Sequence, residues 1–446
     1  MSSSPIRSSR RRFLQVGSAG AAGLFLSSRI LAREQSPGDL LNVAFIGVGG
    51  MGASDLGSTA SGKNVRVLAL CDVDAGRLGA AHANHGDAKT FTDWRRLLDE
   101  LGKDIDAVVI STPDHMHGPI ALAAMALGKH VYCQKPIAHN VHECRAMTRM
   151  ASEQSVVTQM GTQIHSDQAY LSAVATLRSG VIGKVKEAHL WVSRSWAGPS
   201  AGRPAKVDPI PEGLDWDLWL GGAPERPYVK GLYHPGNWRG WRDFGAGTLG
   251  DMGCHIFDPV FSALGLGSPI SVLSKGAAHG TETFAGDSDI TYSFPGNEHT
   301  SKTLSMRWTD GNAGSRPDAS RAQLPKGTSL PGAGSFLVGE KGVMVIPHWD
   351  MPRFYRDGEV LDVPIQTIAS RSHYHEWSDA CRGEGTTSTP FSYSGPLTES
   401  VLIGTLAAAV PGRTLNWDAQ QMSLGDADLD RLLKREYRKG WEVAGL

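Results

Sequence analysis

From Val43 to Ile46 the chain is continuously apolar, and the run enters a glycine turn before a stretch able to form a helix, LNVAFIGVGGMGASDLG. A second apolar run, VRVLALCDVD, follows. Ala75 to His85 and FTDWRRLLDE read as helices, and IDAVVISTP reads as a buried strand stopped by Pro113. GPIALAAMALG is a helix ended by Gly128, KHVYCQKP a short strand ending at Pro136, HECRAMTRMASEQ a helix and SVVTQMGTQ a strand. Strands alternating with helices at these lengths predict a parallel, doubly wound α/β sheet of the Rossmann type over residues 40–163. The pattern then changes. KEAHLWVSRSW and SDITYSFP alternate, and HTSKTLSMRWTD and SFLVGEKGVMVIP also read as strands. Helices are expected at Asp167 to Ser179, HIFDPVFSALG, HYHEWSDACRG and LTESVLIGTLAAAV. Residues 164–446 are therefore expected to form an α+β domain around a large, mostly antiparallel open sheet. The Gly-, Pro- and Ser-rich stretches Ala197 to Asp208 and Asp310 to Gly334 read as surface excursions.

The glycine turn has chemistry attached to it. Gly47, Gly49 and Gly52 form G-x-G-x-x-G between a strand and a helix, and Asp72 closes the next strand 20 residues beyond Gly52. This is the dinucleotide fingerprint in its required context. Gly47 permits a tight turn, Gly49 lets the backbone approach a pyrophosphate, and Gly52 lets the helix pack on the strand. With Gly50 and Met51 at the helix N-terminus, free N–H groups and the helix dipole favour an anion. Asp72 can accept hydrogen bonds from ribose hydroxyls and would repel a 2′-phosphate, so NAD is expected over NADP. Ligands on such a sheet bind beyond the carboxyl ends of the strands, which selects Asp72, Thr112, Pro113, His117, Gln134, Lys135 and Gln163 for a cofactor cleft. Asp114 and His115 belong to the same turn as Thr112. His82 and His85 read as an ordinary helix face.

Composition narrows the picture. A chain of 446 residues suggests about two to three domains. Its formal charge of −1 gives no support for nucleic-acid binding. The five cysteines are odd in number and match no metal spacing, and no H-E-x-x-H or C-x-x-C occurs, so neither a disulfide framework nor a metal is expected. Residues 1–35 read as an export address. Ser9, Arg10, Arg11, Arg12, Phe13 and Leu14 fit the twin-arginine pattern S-R-R-x-F-L, and the weakly apolar stretch from Val16 to Leu26 is too short to span a bilayer core of ~30 Å. Twin-arginine machinery exports folded proteins to the periplasm. A cofactor loaded beforehand must then be held tightly and recycled.

TPDHMHGPIALAAMALGKHVYCQKP together with GAGTLGDMGCHIFDP resembles the Gfo/Idh/MocA family (glucose–fructose oxidoreductase, inositol dehydrogenase and rhizopine-catabolism proteins), over about residues 40–446. The resemblance implies NAD(P)-dependent oxidation of sugars, cyclitols and related polyols, and a C-terminal sheet that often builds homo-oligomers. It implies Lys135 as the group polarising a substrate oxygen, Asp251 as the residue orienting the substrate, and His255 as the general base. Asp251 and His255 are four apart and share a helix face, and an imidazole suits removal of a hydroxyl proton. Where the family has an acid, this chain has Gln134, which cannot ionise. Asp258 reads as structural. In YHPGNWRGWRDFG, the residues Tyr233, Asn237, Trp238, Arg239 and Arg242 offer aromatic faces and guanidinium groups to a sugar ring, with packing as the rival role. His234 and Trp241 lie in the same run, and His373 and His375 near Trp377 are further candidates to reach the site. Three readings follow: a sugar or cyclitol dehydrogenase, a redox-assisted glycoside hydrolase using the same site, and a non-catalytic sugar or dinucleotide sensor.

Overall fold

The computed structural model describes residues 40–311, 317–444 and 446. The expected export address, residues 1–35, lies outside them. The first sheet takes β1 (Leu41–Ile46), β2 (Val65–Cys71), β3 (Lys89–Phe91), β4 (Ala107–Ile110), β5 (His130–Gln134) and β6 (Thr158–Gly161) in the order β3-β2-β1-β4-β5-β6, with every pairing parallel. The crossovers carry α1 (Met51–Ala60), α2 (Ala75–Asn84), α3 (Trp94–Leu101), α4 (His117–Ala126) and α5 (Val141–Glu153). Buried on both faces, β4 and β5 need no alternation and show none. Chain order reverses between β1 and β4, so the turns after these two strands flank the switch point where such sheets bind ligands.

The helix starts differ. The side chains of Asp74, Asp93 and Asn140 accept from the first-turn N–H groups of α2, α3 and α5. The start of α1 carries Gly50 and has no side-chain cap.

After α6 (Gln168–Arg178) and β7 (Val185–Val192), the chain leaves on an excursion, residues 193–246, that holds α7 (Trp216–Leu220). It returns through α8 (Gly247–Ile256) and α9 (Asp258–Leu264). The strands β8 (Ser271–Ser274), β9 (Ser288–Pro295), β10 (Thr300–Asp310), β11 (Ala333–Gly339), β12 (Val343–Pro347), β13 (Arg353–Arg356), β14 (Glu359–Val360) and β15 (Thr414–Asn416) complete a nine-stranded sheet with β7. Its order is β14-β13-β12-β11-β7-β10-β9-β8-β15, antiparallel except for β7 beside β10. Sequence pattern missed the short strands β3, β8, β13, β14 and β15, which are too brief to show a period.

The chain's last third packs on both sheets. Helix α10 (His373–Cys381) lies on α1, and its Trp377 is fully buried among residues of the first sheet. Helix α11 (Phe391–Ala409) lies against α5 and α8. A boundary near residue 163 therefore separates the sheets in chain order, while the core runs across it. The excursion has its own aromatic core, in which Trp216 and Trp219 stack with ring centroids 4.7 Å apart. All five cysteines are free and buried.

Candidate active site

The turn after β1 is shaped for close approach. Gly47 has φ +82°, and a Cβ there would lie 2.7 Å from Ser111 O. A Cβ on Gly52 would fall 1.9 Å from Gly47 O, so Gly52 serves the seating of α1 on the turn. Gly50 has φ +57° and open space where a Cβ would stand. The Asp72 carboxylate is fixed by two main-chain donors, Val48 N–H at 2.9 Å and Asp74 N–H at 3.0 Å, and burial raises its pKa from the usual range. These groups line one end of a cleft of about 610 Å³. Thr112 Oγ1, on the same wall, is buried with no hydrogen-bond partner. An uncapped helix start, a glycine cradle, an anchored carboxylate and an unused hydroxyl fit a dinucleotide.

The other end is made of charged side chains brought in by the end of β5, by α8 and by the excursion. Lys135, at the end of β5, donates to Asp251 Oδ1 at 2.7 Å and to Asp251 O at 2.6 Å. Arg239 Nε donates to the same Oδ1 at 3.0 Å, and Trp196 Nε1 to Oδ2 at 2.7 Å. Burying a lone carboxylate costs several kcal/mol, and burial here does work against the charge. Lys135 and Arg239 outweigh it and hold the Asp251 carboxyl well below its usual range. Trp196 and Trp238 flank the Arg239 guanidinium, 5.3 and 4.3 Å from the ring centroids.

One helical turn along α8, His255 faces the cleft with Nδ1 3.3 Å from Thr162 Oγ1. Burial, then the Lys135 charge, pushes its pKa well below the ordinary histidine value, so the ring is a neutral base. His348, just past β12, stands beside it with ring centroids 5.9 Å apart, and its Nδ1 is buried without a partner. Asp114 accepts from Ala246 N–H at 3.1 Å. Burial raises its pKa to about 7 although Lys135 and Arg239 pull it down.

Gln134 explains the missing family acid. Its Nε2 donates to both oxygens of Asp55 in α1, at 3.0 and 2.9 Å, and Asp55 also accepts from Ser111 Oγ at 2.6 Å and Tyr374 O–H at 3.0 Å. Gly161 makes room, since a Cβ there would sit 2.7 Å from Gln134 Nε2. A buried carboxylate already stands at this point on another element, and a neutral amide is the partner it can use.

Of the residues singled out from sequence, Gly47, Gly49, Gly50, Met51, Asp72, Thr112, Pro113, His117, Gln134, Lys135, Gln163, Trp238, Arg239, Asp251 and His255 line this one cleft. The His117 ring bridges two strand ends, with Nδ1 2.7 Å from Pro136 O and Nε2 2.9 Å from Thr112 O. Three expected substrate residues do not reach the cleft. Tyr233 is buried in the excursion's aromatic core, 4.9 Å from Trp241 between centroids. Asn237 is exposed and donates to Gly231 O at 2.8 Å. Arg242 donates to Gly280 O at 3.2 Å. For Tyr233, packing won. His373 is also structural, its ring set between Ser166 Oγ and Met160 O at 2.9 Å each, and His375 meets Ser61 at the surface. Asp258 is fully buried, 2.8 Å from His165 Nδ1.

Sequence reasoning missed Trp196, Arg194 and His348. No local pattern marks them, because each is brought in by sheet pairing or by the excursion's path. Among the described residues, no group of three or more His, Cys, Asp or Glu is arranged to hold a metal ion.

Two models of one family match the chain. Residues 41–162 match the oxidoreductase family's NAD-binding Rossmann fold, and residues 184–297 its C-terminal alpha/beta domain. The chain is 30% identical over 154 residues to inositol 2-dehydrogenase of Salmonella typhimurium, covering 33% of this chain and 45% of that protein. It is 28% identical over 203 residues to a glycosyl hydrolase family 109 protein of a Shewanella species, covering 40% and 44%. The chain thus spans less than half the length of these relatives. The solved WlbA dehydrogenase of Bordetella pertussis, in complex with NADH and UDP-GlcNAcA, superposes with a TM-score of 0.58 at 16% identity, over 85% of this chain and 99% of that one. At that identity the likeness is one of fold.

Proposed function

The chain belongs to the Gfo/Idh/MocA oxidoreductase family, and on that premise we propose that it is an NAD-dependent oxidoreductase acting on a secondary alcohol of a sugar, glycoside or cyclitol. One observation carries the reading. Lys135 and Asp251, 2.7 Å apart, line the same cleft as His255, and the glycine turn closes its other end. Bound nicotinamide supplies the hydride acceptor. The neutral His255 ring takes the hydroxyl proton through Nε2, while Thr162 steadies Nδ1. Lys135 donates to the substrate oxygen as negative charge grows on it, and Asp251 keeps that ammonium aimed. Arg239, flanked by Trp196 and Trp238, offers donors and aromatic faces to further hydroxyls. A relative named inositol 2-dehydrogenase supports a polyol substrate.

A relative named as a glycosyl hydrolase family 109 protein favours a second reading, redox-assisted glycoside cleavage. Oxidation at one carbon acidifies the neighbouring C–H, and a base of the site removes that proton. The electron pair of that C–H bond forms a double bond as the glycosidic C–O bond breaks. The leaving oxygen takes a proton, water adds, and the hydride returns. The net change is hydrolysis.

The test is absorbance at 340 nm of the NAD-loaded protein against glycosides, free sugars and inositols, with released sugar assayed in parallel. Lasting NADH without released sugar supports the dehydrogenase. Released sugar without net NADH supports cleavage. Silence across the panel favours a sensor.

We also propose export through the twin-arginine route on the strength of Ser9 to Leu14. Replacing Arg10 and Arg11 by Lys should strand the protein in the cytoplasm, and periplasmic recovery of that variant overturns the proposal.

A further inference from the structure

The excursion after β7 does more than bring Trp196 and Arg239 to the substrate end. Its middle part, residues 208–236, runs back along the opposite end of the cleft and attaches to the turn between β2 and α2. Ala75 N–H donates to Gly213 O at 2.8 Å and Asp215 N–H to Val73 O at 2.9 Å, which pairs Asp74 with Leu214 as an antiparallel bridge. Asp74 uses Oδ1 to cap α2, and its Oδ2 lies 3.0 Å from His234 Nε2. The wall beyond Asp72 is therefore shared. Thr92 and Trp94 come from the first sheet's side, and Leu218, Trp219 and His234 from the excursion.

This roof is braced from behind. His115 Nε2 lies 3.3 Å from Trp219 O. The C-terminal tail holds the turn after α7, with Arg438 Nε donating to Gly221 O at 3.0 Å and Arg438 N–H to Gly222 O at 3.0 Å. The same tail is anchored to α5 by Arg435, whose Nε is 2.9 Å from Glu143 Oε1. Lifting the roof means breaking a main-chain bridge and a side-chain contact and disturbing a packed aromatic core.

We propose that residues 208–236 are a clasp enclosing the adenosine half of the dinucleotide in a pocket built by both domains, with His234 and Asp74 as its latch. The proposal rests on the reading that this cleft binds NAD. Its consequence is that the cofactor stays bound through many turnovers. The hydride taken from one substrate must then be returned inside the same site, either to that substrate or to a second one.

The experiment follows NADH fluorescence. The full-length protein is loaded with NADH, passed through gel filtration and mixed with excess NAD. Wild-type protein should keep NADH through the column and exchange it slowly. His234→Ala should release it at least about tenfold faster, a change of dissociation rate without a new contact elsewhere. Asp74→Asn, which keeps a helix-capping side chain, should move release in the same direction, so the test survives if His234→Ala folds poorly. If wild type exchanges as fast as both variants, the clasp is overturned while NAD binding stands. If NADH does not bind wild type at all, the NAD reading itself fails, and the clasp with it.

Discussion

At the adenosine end of the cleft, a ligand meets main-chain N–H groups, a glycine cradle and one carboxylate, with the excursion laid over them. At the reaction end it meets long charged side chains whose positions depend on each other. The first end is specified within a short stretch of chain, from Gly47 to Asp72. The second joins Lys135 to a partner 116 residues away. Local geometry suffices to hold an anion, because helix ends and tight turns present donors automatically. Proton and hydride chemistry needs groups of opposite charge held close in a partly dry site, and only tertiary packing brings them together. The two ends should therefore fail differently when mutated.

The largest effect is expected at His255. His255→Ala removes the base and leaves the glycine turn and Asp72 untouched. Single-turnover hydride transfer, read at 340 nm, should fall by about a thousandfold, while NADH still binds. Loss of both together would erase the distinction between the ends, and retained hydride transfer would remove His255 from its role.

Lys135 comes next. Lys135→Ala leaves the buried Asp251 carboxylate with Arg239 and Trp196 alone. Breaking a buried pair from one side costs about 3 kcal/mol, so a lower urea midpoint should accompany a fall in hydride transfer of about a hundredfold. Lys135→Arg should recover stability better than rate. The Lys135 ammonium meets two Asp251 oxygens from a single nitrogen, and a planar guanidinium cannot reproduce that point of charge. Equal recovery of both would mean that charge alone matters there.

At the adenosine end, Asp72→Ala should change preference and spare chemistry. Hydrogen bonds to a charged group are worth about 1.5–3 kcal/mol. The ratio of NAD to NADP affinity should drop by about tenfold to a hundredfold, with hydride transfer from bound NAD little changed. An unchanged ratio would move selectivity to Arg77, whose side chain lies against Gly49 in the same cleft.

The same contrast governs what sequence alone could reveal. The first sheet's parallel, doubly wound class follows from strand–helix alternation although its short β3 was missed, and Gly47, Gly49 and Asp72 came out by spacing. Asp251 and His255 were reachable because four residues on a helix make one face. Arg194, Trp196 and His348 were not, since a strand register and the course of an irregular excursion decide where they point. Tyr233, Asn237 and Arg242 show the converse. A run rich in aromatic and basic residues looks like a sugar platform, yet of those residues only His234, Trp238 and Arg239 line the cleft, and Tyr233 packs inward. Gln134 read as a lost acid, but Asp55, 79 positions earlier, accepts from its amide.

Asp114 offers the smallest and most specific test, because it sits where the two ends meet. It is buried in the turn after β4 and lines the cleft near Lys135 and Arg239. Burial keeps its carboxyl protonated up to about pH 7, whereas in the unfolded chain it ionises near about 3.9. Between those values the folded protein holds a proton that the unfolded chain has released. Its contribution to stability is therefore full below about pH 4 and is lost as pH rises toward 7. Asp114→Asn keeps an oxygen for Ala246 N–H and cannot ionise. Urea midpoints measured from about pH 4 to about pH 8 should move in the variant's favour relative to wild type as pH rises. Asp310, also raised to about 7 by burial, adds its own slope equally to both. Parallel slopes would mean that Asp114 is already ionised when folded. The charge facing Lys135 would then be two carboxylates rather than one, and the ammonium would be less free to meet a substrate oxygen.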